Sequence, residues 1–144
     1  MHKSTTAVVN HLVSNNITKL VIGQNKDWKQ DINIGKKNNQ NFVFIPHSQA
    51  IDMLKYKCSL RGITVITTNE SYTIKCSFLD NEEVKKHQKY KGKRICRGLF
   101  KSKLGTLINA DLNGALNILK KAIGKFKYST EACSTPSTLV IKYK

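Results

Sequence analysis

Only two runs in this chain have the composition of buried β-strands, and they limit the fold more than any other feature. Lys19-Leu20-Val21-Ile22 is a compact apolar run ending at Gly23, and Ile63 to Thr67 alternates β-branched residues. The spacing around them predicts helices. Ala7, Val8, His11 and Leu12 give a helical period over Thr5–Val13 that Asn15-Asn16 breaks. Ile51, Leu54, Tyr56, Cys58 and Leu60 give a second helix, capped by Ser48 and ended by Gly62. Helix, strand, helix, strand in that order reads as an α/β layer with parallel strands. Two strands bury too little for an independent sheet. The expectation is therefore a partial α/β domain whose opening strands are missing, marginally stable because half a sheet exposes an unpaired edge.

The connecting segments differ in character. Lys26 to Asn41 is polar and amide-rich, a loop suited to ordering against a partner, and Phe42 to Ile45 is apolar up to Pro46. Asn69 to Thr106 is basic and glycine-punctuated with little helical period, while Leu112 to Ile123 is the best helix in the chain and is closed by Gly124. Past Lys127 the Ser, Thr and Pro136 of the tail read as loose chain, and there is no internal repeat.

Charge narrows the function. Lys and Arg number 25 against 9 Asp and Glu, a net of +16 over 144 residues. Such a balance draws the chain to a polyanion, nucleic acid first and an anionic membrane second, with strong salt dependence. No apolar stretch approaches the ~18 residues of a membrane span, and no amphipathic helix with a strong apolar face accompanies the charge. Met1 to Asn10 lacks the layout of a secretory signal, so the expected location is intracellular, with no membrane partner. The densest basic run holds Lys85, Lys86, Lys89, Lys91, Lys93, Arg94, Arg97 and Lys101, interleaved with Tyr90 and Phe100. Cations there would meet phosphates, while the aromatics would stack on bases or simply pack; the plain alternative is a solvated face. Lys120, Lys121, Lys125 and Lys127 extend the same basic surface.

The cysteines stand at 58, 76, 96 and 133, with no CxxC pair. Free thiols are the first expectation for Cys58 and Cys133. A zinc site built from Cys76, His87 and Cys96 would be one ligand short of the usual tetrahedron.

Two acids are placed for chemistry. Asp111 stands ahead of an apolar helical run in which Asn113 and Asn117 share one face. An Asp there either caps the helix, for about 1 kcal/mol, or holds a divalent cation beside a phosphodiester. Glu70 follows directly on the strand Ile63–Thr67, at the end where α/β sheets carry their sites, unless it is an ordinary solvated loop carboxylate. Two such carboxylates suit Mg²⁺, which prefers oxygen ligands. Two-metal phosphodiester hydrolysis normally takes three or four acids. The chain's others are Asp27, Asp31, Asp52, Asp80, Glu82, Glu83 and Glu131.

Glu70-Ser71-Tyr72-Thr73-Ile74-Lys75-Cys76-Ser77, followed by Asn109-Ala110-Asp111-Leu112-Asn113-Gly114-Ala115-Leu116-Asn117-Ile118, resembles the C-terminal region of TnpB, the transposon-encoded OrfB protein related to type V CRISPR effectors and to Fanzor proteins. The similarity runs from about Thr5 to Phe126. It implies a partial RuvC/RNase H-like core over residues 1–70, a zinc-ribbon-like nucleic-acid-binding insert over 71–107, a closing RuvC helix over 108–126 and a flexible tail over 127–144. Asp111 matches the family's last catalytic acid, with Asn113 and Asn117 in its motif.

The chain departs from the family's pattern twice. Gly23 stands where the usual middle Glu follows its strand, and Glu70 matches the relocated acid of a Fanzor-like subset. The ribbon's CxxC pairs reduce to Cys76 and Cys96, which puts Zn²⁺ in doubt. The family's first catalytic Asp would lie on an opening strand before Met1. The expectation is thus a DNA-binding, RuvC-type endonuclease fragment, inactive alone, that uses Mg²⁺ at Glu70 and Asp111 if an upstream polypeptide completes it and a guide RNA joins it. The alternative is a non-enzymatic protein that binds nucleic acid without sequence preference.

Overall fold

The computed structural model describes residues 1–25 and 47–127, and these divide into two compact units, one built on Met1–Ile66 and the other beginning at Thr67. The loop expected over Lys26–Asn41, the apolar run Phe42–Ile45 and the tail from residue 128 lie outside the described residues.

In the first unit, helix α1 (His2–Ser14) is followed by strand β1 (Lys19–Gln24), helix α2 (His47–Ser59) and strand β2 (Thr64–Asn69), and β1 pairs with β2 in a two-stranded sheet. Val9 and Leu12 of α1 meet Cys58 of α2 and Ile63 in the core, with Val8, Leu20, Leu54 and Val65 packed around them. The helical spacing of the sequence is what delivers Val9 and Leu12 to one side.

Helix α1 starts a turn earlier than its apolar period indicates. Its Met1 N-cap has no side-chain bond. The Thr5 and Thr6 hydroxyls instead donate back to the His2 carbonyl, at 3.1 and 2.8 Å. Lys57 of α2 then donates to that same carbonyl at 2.8 Å and to both hydroxyls at 2.8 and 2.7 Å. One ammonium therefore ties the two helices together with all three of its donors. Asn15 ends α1 by bonding the His11 carbonyl, and Asn16 takes φ +53°. Helix α2 begins at His47, so Ser48 lies inside its first turn and is not the residue before it.

The second unit holds a turn-rich segment from Glu70 to Gly92 and an antiparallel sheet of order β3 (Lys93–Cys96), β4 (Leu99–Lys101), β5 (Leu107–Asn109). β5 runs straight into helix α3 (Ala110–Ile123). Phe100, Ile108 and Ala110 form the core with Leu79, Leu112 and Leu116, so α3 and the basic insert share one hydrophobic centre. The N–H of Ala110 donates to the Gly98 carbonyl at 2.9 Å, fixing the start of the helix on the β3–β4 turn. Gly124 closes α3 at φ +77°, a conformation that favours glycine. With helices and two small sheets, the fold is mixed α and β.

Gly92 marks the tightest packing of this unit. A Cβ there would press into the Phe100 ring and come within 2.8 Å of the Lys101 carbonyl. Phe100 is 2% exposed and has little room to yield. Gly92→Ala is expected to cost about 1–3 kcal/mol through overpacking, read as a lowered urea midpoint with an unchanged slope.

Candidate nucleic-acid and metal site

Helix α3 organises the site. Its cap is Asn109, whose Oδ1 accepts the N–H groups of Asp111 and Leu112 at 2.9 and 3.1 Å. The capping role open to Asp111 is therefore filled by the residue two places ahead of it. Asp111 sits exposed in the first turn, and its carboxylate has no protein partner among the described residues. The positive end of the helix favours an anion there by about 0.3–1 kcal/mol.

Glu70 is held by its backbone. The Asn69 Oδ1 accepts the Ser71 N–H at 2.7 Å, and the Thr73 hydroxyl donates to the Glu70 carbonyl at 2.7 Å. These are the local side-chain bonds by which Asn and Thr build turns. The Glu70 side chain is half-buried, and its carboxylate too has no protein partner among the described residues. A relay of bonds connects the two acids' elements: Thr73, which fastens Glu70, gives its own carbonyl to Asn117 Nδ2 at 2.9 Å, on the helix that Asp111 opens.

Asn113 and Asn117 have a different role from the nucleic-acid contact expected of them. Both are 0% exposed. Asn113 accepts the Phe78 N–H at 3.0 Å and donates to the Cys76 carbonyl at 2.9 Å. Asn117 donates to the same Cys76 carbonyl at 2.8 Å, while its Oδ1 is buried without a partner among the described residues. Their amides supply the partners that an irregular buried backbone lacks, which places them beyond the reach of a nucleic acid.

Lys120 and Lys121, expected on the basic surface, continue this work. Lys120 donates to Asn81 Oδ1 at 2.7 Å and to the Glu82 carbonyl at 3.1 Å, and burial pushes its pKa below the ordinary lysine value. Lys121 reaches the Ser71 carbonyl at 3.4 Å.

The basic segment itself faces solvent. Lys85, Lys86, Lys89, Lys91, Lys93, Arg94, Arg97 and Lys101 are all exposed. Tyr90 is half-buried and meets His87 edge-on at 5.5 Å, while Phe100, the other aromatic of the run, belongs to the core. Lys85 pairs with Glu83, whose carboxyl it holds below the usual range, but both partners are well exposed and the pair stabilises little.

Among the described residues the thiols do not assemble a zinc site. Cys76 is 0% exposed with its Sγ 3.5 Å from the carbonyls of both Glu83 and Lys85, whereas Cys96 is exposed on β3. His87 Nε2 is engaged with the Glu83 carbonyl at 2.8 Å. Among the described residues no three His, Cys, Asp or Glu side chains gather as a metal cluster. A tetrahedral site needs four donors, and the described residues do not fit one. Glu70 and Asp111 do offer the hard oxygen donors that Mg²⁺ takes.

The family described as Cas12f1-like, TNB domain matches residues 47–118, half of the chain. This chain belongs to that family. It is also 34% identical over 95 residues to a TnpB-like protein, ORF457, of Acidianus two-tailed virus. That alignment covers 64% of this chain and 19% of the viral protein, so the chain spans about a fifth of its relative's length. The TNB match runs through α2, β2, the basic insert and the opening of α3, and includes both Glu70 and Asp111. The resemblance to TnpB/OrfB-type proteins stands on these two findings. Among the described residues no helix is long and apolar enough to cross a membrane.

Two predictions follow from this packing. Asn113→Ala removes the buried bonds to the Phe78 N–H and the Cys76 carbonyl, and is expected to cost about 1–3 kcal/mol in urea unfolding. Burial pushes the Cys58 and Cys76 thiols up, so both stay protonated at neutral pH while Cys96 lies open. Brief iodoacetamide treatment followed by peptide mass mapping should label Cys96 and spare Cys58 and Cys76 until the chain is unfolded.

Proposed function

We propose that this TNB-family chain binds DNA through its exposed basic segment and supplies two carboxylates, Glu70 and Asp111, to a RuvC-type, Mg²⁺-dependent phosphodiesterase site of a TnpB-like nuclease. The observation that carries this reading is the free carboxylate of Asp111: Asn109 performs the capping, so the acid has no structural task at the position it occupies. Glu70 is positioned likewise, by the Thr73 hydroxyl on its carbonyl and the Asn69 side chain on the Ser71 N–H, which leave its own side chain available. In this reading the first unit belongs to an RNase H-like core, and Glu70 is the relocated acid of the Fanzor-like subset. Mg²⁺, held by Glu70 and Asp111, would supply Lewis-acid stabilisation of the phosphate and an activated water. Lys85, Lys86, Lys89, Lys91, Lys93, Arg94, Arg97 and Lys101 would neutralise backbone phosphates, a contact that carries no base sequence. Sequence choice would then rest with a guide RNA.

The described chain lacks a third acid for this site. Asp80 accepts the Lys103 N–H at 2.7 Å, Glu82 is buried on two backbone amides, and Glu83 pairs with Lys85. Asp52 stands on α2 in the first unit. A further carboxylate would come from outside the described residues, from another stretch of protein or a second polypeptide. Under this proposal the chain by itself binds without turnover.

Fluorescence anisotropy with a short DNA duplex across a salt series tests the reading. Log affinity should fall linearly with log salt, and Lys85→Gln, Lys86→Gln and Lys89→Gln together should flatten the slope by about 2–3. Asp111→Asn should leave binding unchanged. Salt-insensitive binding would refute the interface, and Mg²⁺-dependent cleavage by the chain alone, abolished by Asp111→Ala, would refute the lack of turnover.

A further inference from the structure

The segment from Glu70 to Gly92 has almost no regular structure, yet its centre is among the most buried parts of the protein. Cys76 and Ser77 are 0% exposed, and Glu82 is 2% exposed. A buried carboxylate is costly unless its oxygens are satisfied. Both oxygens of Glu82 are. Oε2 accepts the Ser77 N–H at 2.7 Å, and Oε1 accepts the Lys91 N–H at 2.9 Å. The first bond closes the turn from Ser77 to Glu82, which is also closed by the Glu82 N–H on the Ser77 carbonyl at 3.1 Å. The second reaches the chain just before Gly92 and β3. One carboxylate thus pins together two stretches of backbone that no strand ladder connects.

That is the mechanical task a zinc ion performs in a ribbon, where thiolates from two turns meet on one metal. The chemistry here is the inverse. A metal needs electron-pair donors converging on it, whereas this place presents backbone N–H groups converging on an anion. The thiol beside it is already engaged, since Cys76 Sγ lies 3.5 Å from the carbonyls of Glu83 and Lys85. Lys120 bonds the Glu82 carbonyl at 3.1 Å, placing a cation on the residue that carries the buried negative charge. A divalent ion entering here would face N–H donors and an ammonium.

We infer that the insert of this chain folds without zinc, and that the buried Glu82 carboxylate, bridging the Ser77 and Lys91 amides, takes the cross-linking role of the metal. Charge-assisted bonds of this kind are about twice as strong as neutral ones, so the carboxylate holds the two stretches more firmly than a neutral side chain would. The inference is independent of the nuclease reading, which uses no zinc, and the two fail separately.

The test uses the full chain purified without chelator. Elemental mass spectrometry should find far less than one zinc per chain, and excess EDTA should leave the thermal midpoint unchanged. Glu82→Gln turns an N–H₂ toward one of the two amides and should lower that midpoint by about 5–10 °C, while Cys96→Ser should not move it. About one zinc per chain, lost on Cys76→Ser, Cys96→Ser or Cys133→Ser and accompanied by unfolding in EDTA, would overturn the inference. So would a zinc-free chain in which Glu82→Gln is as stable as the parent. Where Glu82→Gln does not fold, the zinc content and EDTA response of the parent chain still decide the matter.

Discussion

The Cys76 carbonyl receives two buried amide donors, Asn113 Nδ2 at 2.9 Å and Asn117 Nδ2 at 2.8 Å, and the second unit is arranged around that junction. The segment from Glu70 to Gly92 runs through turns, so its backbone groups find few partners in one another. Buried without partners, each would cost about 1–3 kcal/mol. Helix α3 answers with polar side chains at helical spacing, from Asn113 through Asn117 to Lys120 and Lys121, each bonded to a carbonyl of that segment. The helix thus serves as a rack for irregular chain, with polar bonds on this face and Leu112 and Leu116 packed into the core of the sheet.

The same geometry frees Asp111. Asp111 is exposed in the first turn and is not among the side chains that bond the clamped segment. Asn109 relieves it of capping, and leaves it in the first turn of α3. Glu70 is reached through the other end of the same set of bonds, since Thr73 contacts both the Glu70 carbonyl and Asn117. A single hydrogen-bonded framework thus holds both acids by their backbones and leaves their side chains unused.

Electrostatics follow the same division. The acids nearest the basic segment are spent internally: Asp80 on the Lys103 N–H and Glu82 on Ser77 and Lys91. Of these neighbouring described acids, Glu83 remains as a surface counter-charge, and it is paired with Lys85. The other exposed cations from Lys86 to Lys101 pair with no carboxylate among the described residues, which suits a polyanionic partner and makes salt the natural lever on its affinity.

Much of this was legible from local pattern. Apolar period located α1, α2, α3 and both strands of the first sheet to within a turn, and the charge balance located the basic segment. Position in the motif made Glu70 and Asp111 candidates. The three short strands of the insert were not legible, because runs such as Leu99–Lys101 and Leu107–Asn109 are too brief to show a period and form only by pairing with each other. Nor were the roles of polar residues. Asn113, Asn117, Lys120 and Glu82 read equally well as surface groups, since an amide, ammonium or carboxylate carries no mark of what it will bond. By itself the sequence determined where helices form, where positive charge gathers and which acids lie in the motif, because these depend on neighbours along the chain. The tertiary structure alone decided that Asn109 caps α3 in place of Asp111, that the two amides are buried clamps and that Glu82 bridges two turns. Those outcomes depend on which backbone groups are left unsatisfied once distant segments pack, and burial then makes each such bond obligatory.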